Sequence, residues 1–139
     1  MTVSDALRQR VAAQARHRCG YCHTQEAVSG IPLTLEHLTP KARGGPDAEE
    51  NLWLSCRLCN EAKGVRTEAA DPQTGETVPL YNPRTQTWAE HFMWDEDSTH
   101  IIGLTATGRA TVQALSLNDE LRVRARAIWA QAGYHPPEP

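Results

Sequence analysis

The sequence lacks any hydrophobic run long enough to span a bilayer. Its first residues, Met1-Thr-Val-Ser-Asp5, also lack the charged-then-apolar pattern of a secretory signal peptide. These two absences argue against a membrane-spanning or exported protein. We therefore expect a cytoplasmic protein with no membrane partner.

A strong positive charge is absent as well. The 139 residues hold 14 Lys and Arg against 17 Asp and Glu, a net charge of −3. This balance excludes tight, charge-driven coating of nucleic acid. The charge is uneven, however: residues 1–66 hold nine basic against seven acidic side chains, and residues 67–139 hold five against ten. Only the first half could give nucleic acid a modest, salt-sensitive affinity.

No cysteine is spare. The four form two Cys-x-x-Cys pairs, Cys19/Cys22 and Cys56/Cys59. A thioredoxin-like redox site would need only one pair, and two disulfides would need an oxidising compartment. Two matched pairs are typical of one structural zinc ion held by four thiolates at about 2.3 Å. We therefore predict zinc at Cys19, Cys22, Cys56 and Cys59.

The length of the chain predicts a single domain over residues 1–139. The sequence pattern of its first half predicts a mixed α+β arrangement. Thr2 and Asp5 have capping-box spacing before a helix that should run to Arg18. A short apolar strand ends at Glu36-His37, and a second strand covers residues 51–55. Another helix begins near Cys56.

The second half predicts an extension over about residues 78–134 that packs on this core. Residues 65–75 should be a polar link, and residues 88–94 and 100–105 should be two strands of a hairpin. Thr107 and Asn118 are predicted to cap two helices, the second ending at Gly133. The second helix should bury one apolar stripe: Leu121, Ala125, Ile128, Trp129 and Ala132.

Two segments carry a recognisable motif. They are Leu33-Thr-Leu-Glu-His-Leu-Thr-Pro-Lys-Ala-Arg-Gly-Gly45 and Asn51-Leu-Trp-Leu-Ser-Cys-Arg-Leu-Cys-Asn-Glu-Ala-Lys-Gly64. With the upstream cysteine pair, this order of residues resembles the HNH family of nucleases over about residues 17–66. The resemblance implies a zinc-stapled ββα-metal core and a divalent-metal-dependent endonuclease that hydrolyses phosphodiester bonds in DNA.

The resemblance also implies a role for each motif residue. His37 would be the general base, and Glu36 and Asn60 would be oxygen ligands of a catalytic Mg²⁺ or Mn²⁺. Asn51 would brace the loop that carries His37. Neighbouring strand residues point to opposite faces, so Glu36 and His37 can serve one phosphate only if it lies at the strand's end.

Basic side chains near the motif are candidates for phosphate contacts. Two alternatives stay open: a zinc-stabilised nucleic-acid-binding module without catalysis, and a nuclease that cleaves RNA. The candidate phosphate-binding residues are Lys41, Arg43, Arg57, Lys63 and Arg66.

Overall fold

The computed structural model describes residues 3–139 and confirms the α+β class. The helices are α1 (Asp5–Gln14), α2 (Glu26–Ser29), α3 (Arg57–Lys63), α4 (Trp88–His91), α5 (Ala106–Ala114) and α6 (Glu120–Gln131). The strands are β1 (Thr34–His37), β2 (Leu52–Ser55), β3 (Glu68–Ala70), β4 (Thr77–Pro79), β5 (Phe92–Trp94) and β6 (Ile101–Gly103). They pair as three antiparallel hairpins within the described residues, β1–β2, β3–β4 and β5–β6. None of the helices in this range has the length and apolar character to cross a membrane.

The chain divides into two compact units. The first unit holds the described residues up to Thr67 together with Asn82–Thr85, and the second holds Glu68–Tyr81 and Gln86–Pro139. The first unit contains both cysteine pairs, β1, β2 and α3, which is the ββα arrangement that the motif implies. The packing of the C-terminal extension on this core stays a prediction.

Helix α1, at Asp5–Gln14, is shorter than the helix predicted from Thr2 to Arg18. Ser4 is its N-cap, and the Ser4 hydroxyl accepts a hydrogen bond from the Leu7 amide. Thr2, the predicted cap, lies outside the described residues. The helix ends at Gln14 rather than Arg18 because Arg16 and His17 adopt positive φ values of 56° and 55°.

The first cysteine turn requires glycine for a steric reason. The Gly20 amide donates to the Leu54 carbonyl on β2. A Cβ atom at Gly20 would lie 2.4 Å from Trp53 Cδ1 and 2.8 Å from Pro83 Cβ. Only glycine therefore lets this turn lie against the strand that leads to the second cysteine pair.

Two predictions for the second unit are wrong over part of their length. Residues 65–75 are not a plain link, because Glu68–Ala70 pairs with Thr77–Pro79 around a turn that contains Gly75 at a φ of 78°. Trp88–His91 is a helical turn, so only Phe92–Trp94 of the predicted strand pairs with β6. In both cases the segment is short and has no clear propensity for helix or strand, so its tertiary contacts determine its secondary structure.

The caps of the last two helices also differ from the prediction. Thr105, not Thr107, caps α5 by accepting the Gly108 amide, and Asp119, not Asn118, caps α6 by accepting the Arg122 amide. The Asn118 side chain instead bonds both the amide and the carbonyl of Ile101. Gly133 follows α6 at a φ of 85°, as predicted for its C′ position.

The predicted apolar stripe on α6 is wrong. Leu121 and Ile128 are 75% and 65% exposed, whereas Arg122 and Arg126 are buried. Arg122 donates to the carbonyls of Leu115 and Ser116, beyond the end of α5. Arg126 donates to the Leu117 and Thr99 carbonyls. The buried face of α6 is thus the one that carries guanidinium groups hydrogen-bonded to backbone carbonyls. The periodicity of apolar residues does not predict such a face.

A buried ion pair in the second unit gives a testable pH dependence. Arg109 donates from Nε to Asp71 Oδ1 at 3.0 Å and from Nη2 to Oδ2 at 2.8 Å, and the Asp71 side chain is fully buried. The guanidinium lowers the pKa of Asp71 to about 2. Because this pKa lies below the ordinary value of about 3.9, the stabilisation is complete above about pH 4 and is lost as the pH falls towards 2.

We expect Asp71→Asn to lower the midpoint of thermal unfolding of the second unit by several degrees at neutral pH. The difference from wild type should narrow as the pH falls from about 4 to about 2. Unfolding followed by tryptophan fluorescence across this range measures it. Asp97→Asn, which changes an exposed turn carboxylate, is the control. A difference that stays constant with pH would contradict the assignment.

Candidate active site and zinc centre

The four cysteines converge on one point in the first unit. Their Sγ atoms all lie within 4.8 Å of one another, and Cys22 Sγ is 3.6 Å from Cys56 Sγ. A tetrahedral zinc ion with bonds of about 2.3 Å needs sulfur atoms about 3.8 Å apart. The cluster therefore fits one structural zinc ion, and it is the only group of three or more His, Cys, Asp and Glu ligands that converges within residues 3–139.

Burial affects the ionisation of two of these thiols. Burial raises the pKa of the Cys19 and Cys59 thiols well above the usual value. A buried thiol resists ionisation until a cation supplies the opposite charge, and zinc does this directly. Cys56 is also the N-cap of α3, and its sulfur accepts the Cys59 amide at 3.4 Å. The second cysteine pair thereby fixes the start of α3.

The hairpin β1–β2 positions Glu36 and His37. Glu36 is paired with Trp53 across the hairpin, and His37 is paired with Leu52. Opposed residues share a face and adjacent ones alternate, so Glu36 and His37 point to opposite faces, as the sequence predicts. Strand β1 ends at His37. That both residues act on one phosphate at the strand's end stays a prediction.

His37 has a carboxylate partner. Its Nε2 lies 2.7 Å from Asp47 Oδ1, and Lys41 Nζ lies 3.2 Å from the same oxygen. The His37 side chain is 20% exposed and that of Asp47 is 17% exposed. The hydrogen bond from His37, with a second from Lys41, lowers the pKa of Asp47 below its usual range. Asp47 is therefore an ionised acceptor at neutral pH.

Asn51 holds together the two ends of the loop between β1 and the turn before β2. Its Oδ1 accepts the Thr39 amide at 2.8 Å, and its Nδ2 donates to the carbonyls of Thr39 at 3.0 Å and Pro46 at 2.9 Å. Gly45 is needed there, because a Cβ would lie 1.7 Å from the Thr39 carbonyl oxygen. Thr39 follows His37 by two residues, and Pro46 directly precedes Asp47. The Asn51 hydrogen bonds therefore fix the backbone next to both His37 and Asp47.

Glu36 lies in the interior, on the α3 side. It is 3% exposed, its Oε1 is 3.0 Å from Lys63 Nζ, and neither carboxylate oxygen has a well-aligned hydrogen bond among the described residues. Burial raises the pKa of Glu36, and Lys63 and the Tyr21 hydroxyl offset this only in part. Glu36 thus has Lys63 as its counter-charge, and its carboxylate oxygens are of the kind that a hard divalent cation prefers. Asn60, half-buried on the same helix as Lys63, could add an amide oxygen.

The position of Lys63 disagrees with its predicted phosphate contact. Its side chain is only 4% exposed, and its ammonium also donates to the Leu38 carbonyl at 3.1 Å. Lys63 is thus the counter-charge of Glu36 in the interior. Lys63, three residues after Asn60 on α3, therefore contacts a buried carboxylate and not a solvent-accessible phosphate.

The other predicted phosphate-binding cations are exposed and have local partners. Lys41 contacts Asp47, and Arg57 Nε donates to Glu61 at 2.8 Å. Arg43 donates to the Val65 carbonyl, and Arg66 donates to the Ala62 carbonyl. Surface pairs of this kind are weak, so these side chains can exchange partners. Their contacts with nucleic acid stay predictions.

A comparison with protein families found a match within the first unit. The family model described as HNH endonuclease matches residues 19–66. This segment is similar to the HNH family. The match covers roughly a third of the chain and confirms the resemblance read from the motif; it indicates nuclease activity in general terms. The comparisons with curated proteins and with solved structures found no match.

Two residues of this segment that contact the predicted site were not predicted from the sequence. Asp47 lies ten residues after His37, and no regular spacing connects them. Tyr21, inside the first cysteine pair, is fully buried and lies beside Glu36. The acid directly after Gly44-Gly45-Pro46 was a usable signal for Asp47, because a tight glycine turn returns the chain towards the strand it left. For Tyr21 no sequence signal existed.

Proposed function

We propose that the protein is a divalent-metal-dependent endonuclease that hydrolyses phosphodiester bonds in DNA. The observation that carries the proposal is the position of His37. Within the matched HNH segment, this imidazole lies at the end of β1, is partly exposed, and is hydrogen-bonded to a carboxylate. That is the environment that a general base for water requires.

In this proposal, His37 takes a proton from the attacking water. Glu36 and Asn60 would hold Mg²⁺ or Mn²⁺, which would stabilise negative charge on the phosphate and on the leaving oxygen. Asn51 does not touch the substrate and keeps the loop closed behind His37. Lys41, Arg43, Arg57 and Arg66 would bind the phosphate backbone. Lys63 balances the charge of Glu36.

The proposal is tested by incubating the purified protein with supercoiled plasmid, linear DNA and labelled RNA, with Mg²⁺ or Mn²⁺. We expect nicked or linear DNA products. Cleavage of RNA alone would make the protein a ribonuclease. Salt-sensitive binding without cleavage of either nucleic acid would make it a zinc-stabilised binding module, and either result would reject the proposal.

Chelation should separate the two metal sites. A structural zinc ion in four buried thiolates exchanges slowly, whereas an ion held by one carboxylate and one amide is held weakly. We expect mild chelation to abolish cleavage while zinc content, measured by elemental analysis, and the circular dichroism spectrum stay unchanged. Added Mn²⁺ should restore cleavage. If folding and activity are always lost together, the two-site arrangement is wrong.

A further inference from the structure

We propose that Asp47 is a positioning residue that fixes the tautomer of His37 and thereby makes Nδ1 the basic atom. The inference rests on the proposed function for its catalytic part. The ionised Asp47 carboxylate can only accept a hydrogen bond, so at 2.7 Å the proton of the contact belongs to His37 Nε2. A neutral imidazole carries one proton, so its lone pair lies on Nδ1. No side-chain or backbone group within residues 3–139 is hydrogen-bonded to that atom.

The fold keeps this contact in place from both ends. Asn51 is hydrogen-bonded to the Thr39 and Pro46 backbones. The Gly45 backbone also packs closely against the Thr39 carbonyl, which restricts movement of the loop. The Asp47 side chain is 17% exposed, which limits competition from water for its oxygen. A carboxylate held in this way orients an imidazole as well as selecting its tautomer.

Lys41 does not share this role. Its ammonium lies at 3.2 Å from the same Asp47 oxygen, but its side chain is 59% exposed. Such a contact adds positive charge near Asp47 and keeps the carboxylate ionised, yet it cannot set the orientation of the His37 ring. The tautomer therefore depends on Asp47 and not on the surrounding charge.

The test combines a spectroscopic measurement with kinetics. Nitrogen-15 chemical shifts of the His37 ring, assigned through their loss in His37→Ala, distinguish the two neutral tautomers at pH about 8. We expect wild type to be predominantly Nε2-protonated. Asp47→Asn, which offers both a donor and an acceptor, should give a mixture. Asp47→Glu, which keeps an acceptor carboxylate, should recover the wild-type tautomer at least in part.

Kinetics should follow the tautomer. We expect Asp47→Asn to cleave at least about tenfold more slowly in single turnover, as tautomer errors do elsewhere. DNA affinity should not fall, because a negative charge is removed. Glu50→Gln removes an exposed negative charge from the same segment and should leave both tautomer and rate unchanged.

Failure of this inference differs from failure of the proposed function. An unchanged tautomer and rate in Asp47→Asn, with active wild type, would overturn the inference alone. An Nδ1-protonated wild type would overturn it as well. If wild type cleaves nothing, the proposed function fails, and the base role fails with it. An Nε2-protonated ring that depends on Asp47 would then still support the positional assignment.

Discussion

Cys59→Ser should remove zinc from the protein and unfold most of the first unit. Cys59 is fully buried and belongs to both the zinc cluster and helix α3. The four thiolates tie residues 19–22 to residues 56–59, across the 33 residues 23–55 that contain β1 and β2. Structural zinc binding contributes about 10–16 kcal/mol, comparable to the whole stability of a small domain, about 5–15 kcal/mol.

Elemental analysis and thermal unfolding test this expectation. Leu58→Ala is a matched control, because Leu58 lies between Cys56 and Cys59 and is 52% exposed. The control should keep one zinc ion per chain and unfold cooperatively near the wild-type temperature. A folded, soluble wild-type protein without zinc would contradict the four-cysteine assignment.

His37→Ala should slow DNA cleavage at least about a hundredfold, since a general base contributes about 10²–10⁴-fold to rate. The substitution removes no proposed metal ligand and no phosphate-binding cation. DNA affinity comes mainly from Lys and Arg, so it should stay within a few-fold of wild type. Zinc content should be unchanged, because His37 is not a cysteine-cluster residue.

Single-turnover cleavage and filter binding separate these two effects. His17→Ala is the control: His17 lies in the same unit, its side chain is 61% exposed, and it has no proposed role in the reaction. It should cleave at the wild-type rate. Wild-type-like cleavage by His37→Ala would remove the central claim of the proposed function.

The sequence by itself determined the features that short-range chemistry controls. Two Cys-x-x-Cys pairs bring two thiols together within each turn, so the composition of the zinc cluster was readable before any fold. The end of β1 at His37, and a helix that begins near Cys56, were predicted from local sequence patterns. Gly133 ended α6 because glycine readily adopts a positive φ.

Only the tertiary structure decided which polar groups meet. Asp47 reaches His37 because Asn51 closes a loop, and Lys63 reaches Glu36 because α3 packs against β1. Arg122 and Arg126 displace the apolar stripe from the buried face of α6, because unsatisfied carbonyls past the end of α5 need donors. Hydrogen bonds and ion pairs between residues distant in sequence depend on loop closure and desolvation, which no local pattern encodes.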